Sequence, residues 1–386
     1  MKRIYLDYAA TTPLHPDAFE AMKPFFIEKF GNPSSIHSFG RETRAALDES
    51  RDVIAKLIGA HPSEIFFTSS GTEATNFGLK GTAIKLRQAG KCHIITCKTE
   101  HHATLSTCEF LEKQGFHVTY LDVDSYGSVD PEAVKKVITK DTGLITLMFV
   151  NNEVGTINPI SDISKIAKEN RIIFHTDAVQ AFGKIPVNVD ELGVDLLSLS
   201  AHKIYGPKGV GIIYVRRGIE IENLIHGGGQ ERGRRAGTEN VAFAVGFAKA
   251  AQLICTNRES ENKRMRELNN TIRRLLSEKF SYIEFNGHPD KSLPNILSVS
   301  FDSKKIEIDG EALLMNLDIA GIAVSSGSAC TSGSFKPSHV LLAMGKDEAS
   351  ARATIRFSFG SSTSVEEIIW TVGKLEEIVK KIGREK

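Results

Sequence analysis

The chain has 386 residues, with 48 lysines and arginines against 47 aspartates and glutamates, a formal net charge of +1, and five cysteines. So even a balance provides no field to draw it to nucleic acid or to an anionic membrane surface, and a small odd number of thiols fits a reducing compartment better than a disulfide scaffold. Asp7 interrupts the apolar core a signal peptide would need, and no apolar run reaches membrane-spanning length, so the expectation is a soluble cytoplasmic α/β protein with room for two domains.

In chain order, the first strong helical pattern covers Thr43–Ile58, with Leu47, Ile54 and Ile58 on one face and Gly59 as its stop. Strand patterns follow at Ile65–Phe67, His93–Ile95, His117–Tyr120, Leu144–Val150, Ile172–Phe174 and Leu196–Ser200. Strands alternating with helical stretches predict a mostly parallel sheet with helices on both faces. Beyond Glu239 a long helical region turns from apolar (Val241–Cys255) to charged (Glu259–Glu267), which marks a domain boundary near 258. The chain closes on an amphipathic helix: Ser364 and Glu367 form a capping-box pattern ahead of the stripe Ile368, Val372, Leu375, Val379 and Ile382.

Three polar clusters follow strands, where open α/β sheets gather ligands. Ile65–Phe67 runs into Thr68-Ser69-Ser70-Gly71-Thr72-Glu73, small residues that open a helix and expose backbone N–H groups to an anion, most simply a phosphate. Alone it is equally an ordinary helix cap. Ile172–Phe174 leads to His175-Thr176-Asp177-Ala178-Val179-Gln180, where Asp177 is either a cap or a functional carboxylate. Leu196–Ser200 leads to Ala201-His202-Lys203 and a corner marked by Gly206, Pro207 and Gly209. A solvated lysine needs no such setting, whereas desolvation lets an amine lose its proton and attack a carbonyl. A phosphate cradle, a carboxylate and a desolvated lysine together are the parts that hold pyridoxal 5′-phosphate (PLP).

Ten stretches then occur in order: YLDYAATTP, GNPSSIH, FTSSGTEATN, TEHHA, NNEVGT, HTDAVQ, SLSAHKIYGPKG, GGGQERGRRAGTEN, VSSGSACTSG and IRFSFG. On these the chain resembles the NifS/IscS-type cysteine desulfurases, dimeric PLP enzymes of the class-V aminotransferase type. The resemblance implies the fold-type I PLP-dependent transferase architecture. That is a large domain with a mostly parallel seven-stranded sheet flanked by helices, and a smaller α+β C-terminal domain. The large PLP-binding domain would span 15–257; residues 1–14 and 258–386 would form the small domain carrying Cys330 and Arg356.

The resemblance also implies roles. Lys203 would form the Schiff base with PLP, Asp177 would pair with the pyridine nitrogen, and Gln180 would bond the ring hydroxyl. His101 would stack on the ring and act as an acid/base group. Gly71, Thr72, Ser200 and His202 would hold the phosphate, with Thr238 reaching the phosphate of the neighbouring subunit in a homodimer. Asn32, Asn152 and Arg356 would position the substrate, Arg356 through bidentate contact with a carboxylate. Cys330 would be the nucleophile that takes the sulfur of L-cysteine as a persulfide, leaving L-alanine. It lies in the small-residue run Ser325–Ser334, which without bulky side chains can travel between cofactor and acceptor.

Other readings compete. A lyase for selenocysteine, or another small-substrate PLP enzyme, shares the fold, although a transaminase has no use for a mobile thiol. A catalytically idle binding platform is the rival of another class. Cys92, Cys97 and Cys108 match no zinc or iron–sulfur spacing, so no metal is expected, and Cys92 and Cys97 read as core residues of a strand. Cys330 with His339 as a cysteine hydrolase lacks an orienting partner. Two departures bear on partners: Ser361 stands where many relatives carry arginine, and the chain ends soon after its last helix, without the tail that housekeeping members use to dock an iron–sulfur scaffold. The sulfur acceptor, whether an iron–sulfur scaffold, a nitrogenase-dedicated scaffold or a tRNA-thiolation protein, stays open.

Overall fold

Runs of leucine, isoleucine and phenylalanine too apolar to face water on either side form the strands of the main sheet. They are β1 (Ile65–Thr68), β2 (His93–Cys97), β3 (His117–Leu121), β4 (Thr142–Thr146), β5 (Ile173–Asp177), β6 (Leu196–Ser200) and β7 (Gly211–Val215). The computed structural model describes residues 3–326 and 336–386; Cys330 lies outside the described residues. The sheet has seven strands in the order β1-β7-β6-β5-β4-β2-β3. All neighbours are parallel except β7, which is antiparallel to both β1 and β6.

Two strand expectations need correction. β7 was not expected, because its five residues follow directly on the glycine-marked corner at 206–209 and read as part of it. The Leu144–Val150 run is strand only as far as Thr146. Beyond it, Leu147 N still donates to His175 O at 3.1 Å and Phe149 N to Asp177 O at 2.9 Å, while Val150 bridges to Ile157. The buried backbone is thus satisfied without a regular ladder.

Helix α1 (Ser38–Ile58) begins five residues before the periodic pattern. Its cap is the His37 ring, which accepts from Gly40 N, a residue type outside the usual capping set. It ends at Gly59, in the left-handed conformation at φ 69°. Helices α2 (Gly71–Gln88), α3 (His102–Lys113), α4 (Val241–Thr256), α5 (Arg258–Lys279) and α6 (Val365–Ile382) follow. The Ser364–Glu367 capping box opens α6 as expected.

One large apolar cluster joins Leu47, Ile54 and Ile58 of α1, the sheet residues Leu197, Leu199 and Ile212, and Phe247 of α4. A second surrounds the antiparallel strands β8 (Ile283–Asn286), β9 (Ile296–Phe301) and β10 (Thr354–Ser358). There Leu297, Val299, Ile355 and Phe357 pack against Ile272 of α5 and Leu375 of α6, and Ile4 and Leu6 join them from the other end of the chain. No described helix is long and apolar enough to cross a membrane.

A buried ion pair fixes the loop 227–240 to the main sheet. Arg51 of α1 donates to the Glu231 carboxylate at 2.7 and 2.9 Å, and Glu231 also accepts from Phe67 N of β1 at 2.9 Å. Both side chains are 2% exposed, so removing one partner strands the other's charge in the interior. Arg51→Met is expected to cost about 3–5 kcal/mol, read as a lower urea midpoint with the cooperative transition retained.

Candidate active site

A cavity of about 280 Å³ opens at the carboxyl ends of β1, β5 and β6. Its floor and one side come from α2's first residues. Ser70 caps that helix, its hydroxyl accepting from Glu73 N at 3.0 Å, and Gly71 and Thr72 line the cavity with backbone N–H groups that have no intrahelical partner. Close packing demands small residues here. A Cβ on Gly71 would sit 3.0 Å from Val179 Cγ2 and 3.2 Å from Ser200 Cβ, and one on Gly211 would lie 2.4 Å from the Ser70 carbonyl carbon. The result is a helix N-terminus beside the hydroxyl of Ser200 and the ring of His202, an arrangement suited to a phosphate.

Lys203 ends the short turn that follows β6, and its Nζ donates to the carbonyls of Ala9 and Ala10, both at 2.7 Å. The N-terminal segment therefore forms a wall of the site. Thr12 N and Oγ1 both donate to His202 O, at 3.0 and 2.9 Å, and Thr12 Oγ1 accepts from Tyr205 N at 2.7 Å. Tyr205 holds a left-handed backbone at φ 65°, so the corner stores strain that these contacts sustain. YLDYAATTP is part of the family resemblance, but the approach of its Ala9 and Ala10 carbonyls to Lys203 leaves no mark in the pattern of side chains.

Asp177 ends β5, its carboxylate accepting from Val179 N at 2.9 Å. Burial pushes its pKa up to about 6, against the pull of that N–H and of the Lys203 charge. His101 caps α3, its Nδ1 accepting from Ala103 N at 3.0 Å, which assigns the ring proton to Nε2. Burial, then the charges of Lys203, His102 and His339, lower it to about 4. Behind it Glu100 is raised to about 8, chiefly by burial, and is a neutral acid at pH 7.

Arg356 enters from β10, donating from one terminal nitrogen to Asn152 O at 2.8 Å and from the other to Asp7 Oδ1 at 2.7 Å. Each of those nitrogens carries a second hydrogen, and Nε is buried without a partner. Asp7 entered the sequence analysis only as a break in an apolar run; its pairing with Arg356 was not expected. His339 donates to Glu100 O at 2.9 Å and packs on the His102 ring.

The cavity thus brings together Gly71, Thr72, His101, Asn152, Asp177, Gln180, Ser200, His202, Lys203 and Arg356. Two expected residues lie elsewhere in this chain. Asn32 is exposed, its carboxamide oxygen accepting from Ser34 N at 2.9 Å. Thr238 lines a separate cavity with Ser69, Gly209 and Arg235. Arg235 is tied back to Glu73 of α2 by bonds of 2.8 and 3.1 Å. Ser361 donates its N–H to Tyr205 Oη at 2.9 Å. Cys97 is buried at the end of β2 as expected, whereas Cys92 precedes that strand and is half-buried.

A helix N-terminus cleared of side chains, a carboxylate raised by burial, and a lysine between them fit PLP on its phosphate, ring nitrogen and aldehyde sides. The chain matches the family model described as "Aminotransferase class-V" over residues 4–369. It is 55% identical over 383 residues to a protein named cysteine desulfurase IscS from Dictyoglomus turgidum, covering 99% of this chain and 96% of the relative. To the cysteine desulfurase IscS of Clostridium botulinum it is 48% identical, covering 98% and 95%. Among solved structures it is similar to one titled NifS-like protein (TM-score 0.92, 41% identity, 99% and 100% covered). Another is titled SspA in complex with cysteine (TM-score 0.81, 39% identity, 93% and 99% covered).

The unfolded chain protonates this histidine near its ordinary pKa, but the folded chain holds off to about 4, so acidification across that interval costs stability. His101→Gln should therefore lose less stability than wild type between about pH 6.5 and 4, read from unfolding midpoints of both proteins across that range. Parallel curves would place the His101 titration at its ordinary value.

Proposed function

The chain belongs to the aminotransferase class-V family and is a PLP-dependent cysteine desulfurase, and from that premise we propose how its own residues carry the reaction. The observation that carries the reading is the gathering of Lys203, Asp177, His101 and Arg356 around one cavity. Bound there, PLP supplies an electron sink that makes the substrate Cα–H acidic. The backbone N–H groups of Gly71 and Thr72, with Ser200 and His202, hold its phosphate. Asp177 would face the ring nitrogen and keep it protonated, and that charge would in turn favour the ionised form of this buried carboxyl. Lys203 is the covalent anchor.

Arg356 and Asn152 orient the substrate carboxylate, and Asp7 and the Asn152 carbonyl hold the guanidinium in place for it. Asn32 belongs to this substrate set by resemblance. Released by substrate, Lys203 Nζ takes the Cα proton. The Cys330 thiolate then bonds to the substrate sulfur as the C–S bond breaks. That bond's electron pair stays with the carbon portion, which would gain at Cβ the proton given up by the Cys330 thiol and relayed through His101, regain at Cα the proton held by Lys203 Nζ, and leave as alanine. Cys330 retains a persulfide. A solved relative titled as a complex with cysteine supports cysteine as the substrate.

The reading extends to a cytoplasmic homodimer in which Thr238 reaches the neighbouring phosphate site. Its support is the placement of Thr238 outside its own cavity, on a loop tied to α2 through Arg235 and Glu73. The persulfide sulfur passes to an acceptor protein, and the IscS name of the relatives favours an iron–sulfur scaffold.

With L-cysteine and a reductant, the wild-type chain should release alanine and sulfide in equal amounts. Cys330→Ala should lose both while keeping the bound cofactor's visible absorption, and Lys203→Ala should lose the absorption of the lysine-bound form as well. His101→Gln should lower kcat by about a hundredfold or more. Alanine production that survives in Cys330→Ala would remove that thiol from the mechanism.

A further inference from the structure

Lys184 has no part in the mechanism above, yet its amine is linked to that of Lys203 by a path of three hydrogen bonds. Lys184 Nζ donates to Gln180 Oε1 at 3.0 Å and to Gln180 O at 3.1 Å. Gln180 Nε2 donates to Ala9 O at 2.9 Å, and Ala9 O also accepts from Lys203 Nζ at 2.7 Å. We propose that Lys184 is a positioning residue, whose amine locks the Gln180 amide in the orientation that offers the cavity an N–H and withholds the oxygen.

The two ends of an amide have nearly the same shape, so partners decide which way it points. Here they agree. Burial, then the charge of Lys203, lower the Lys184 amine to about 7; in its ammonium form it brings only donors to the oxygen, and a carbonyl can only accept from the nitrogen. Flipping the amide would set N–H against the Lys184 amine and oxygen against the Ala9 carbonyl, losing both bonds and adding two repulsions. Nε2 has two hydrogens, and Ala9 O takes one. What Gln180 presents to the cavity it lines is therefore a donor. A fixed donor favours a cofactor ring hydroxyl in its ionised form, since an oxyanion accepts and does not donate. This step rests on the reading of Gln180 as the residue that meets that hydroxyl.

The position of Lys184 is itself built. Gly183 turns the chain at φ 78°, where a Cβ would lie 2.7 Å from Ile254 Cγ2 of α4. Asn262 of α5 donates from Nδ2 to Lys184 O at 2.6 Å. The lysine shares a cavity of about 160 Å³ with Lys203, Tyr8, Tyr205, Arg258 and Glu261. A residue serving only to end the turn would not need its amine there.

The test is a double-mutant cycle on the full chain, read by the PLP dissociation constant and the absorption spectrum of the bound cofactor. Gln180→Met, Lys184→Met, the double variant and Lys184→Arg are compared with wild type. Lys184→Met should weaken PLP by about tenfold and shift its visible band. Lys184→Arg, again a donor only, should stay near wild type. The double variant should match Gln180→Met alone, because Lys184 then has no amide to hold. Wild-type affinity and spectrum in Lys184→Met, or losses that multiply in the double variant, would overturn the proposal. Wild-type behaviour of Gln180→Met would instead overturn the reading of Gln180 beneath it. If Lys184→Met does not fold, Lys184→Leu, which likewise cannot donate, takes its place with the same expected loss and the same expected coupling.

Discussion

The two bonds from Lys203 Nζ to the carbonyls of Ala9 and Ala10 are the contact on which the rest of the site depends. A cation brought to the end of a buried strand needs acceptors, since an unpaired buried charge costs several kcal/mol. Here backbone oxygens from the far end of the sequence meet the need. The same segment has Ile4 and Leu6 in the apolar cluster around β9 and β10, Asp7 on Arg356, and Thr12 on the corner that carries Lys203. Six residues thus connect the amine at one end of the main sheet to the guanidinium on β10.

Burial sorts the remaining groups by protonation state. His101 and, one layer deeper, His175 are held neutral, the latter lowered to about 3 by burial alone between Thr146 and Ser198. Glu100 keeps its proton and Asp177 is drawn toward doing so. Fixed charge is sparse in such a cavity, so each charge on a bound ligand meets one intended partner. On the proposed reading, a protonated ring nitrogen opposite Asp177 would offset the desolvation of both.

The loop 227–240 is rigidified from two directions, by Arg51–Glu231 toward α1 and by Arg235–Glu73 toward α2. Glu231 and Arg232 both hold positive φ, at 48° and 56°, a conformation costing about 1–3 kcal/mol per residue when nothing sustains it. The buried ion pair sustains it. Thr238 is therefore presented on an anchored segment, and one of its two anchors, α2, also supplies Gly71 and Thr72 to the cavity that holds Lys203.

The sequence by itself determined the alternation of strands and helices and the polar ends of β1, β5 and β6, with Asp177 and Lys203 among them, because these are local patterns of periodicity, turn residues and side-chain type; Arg356 was singled out only through the family resemblance. Ten stretches in register also identify the family from the sequence alone. Long-range approach was not legible. That Ala9 and Ala10 carbonyls meet Lys203, that Asp7 meets Arg356, and that Lys184 faces Gln180 are contacts between main-chain or ordinary polar groups, which carry no local signature. β7 hid beside a glycine-marked corner, and α1 began on a histidine cap that propensity does not favour. Which carboxyl keeps its proton and which histidine stays neutral are likewise matters of burial, and burial is a property of the assembled chain.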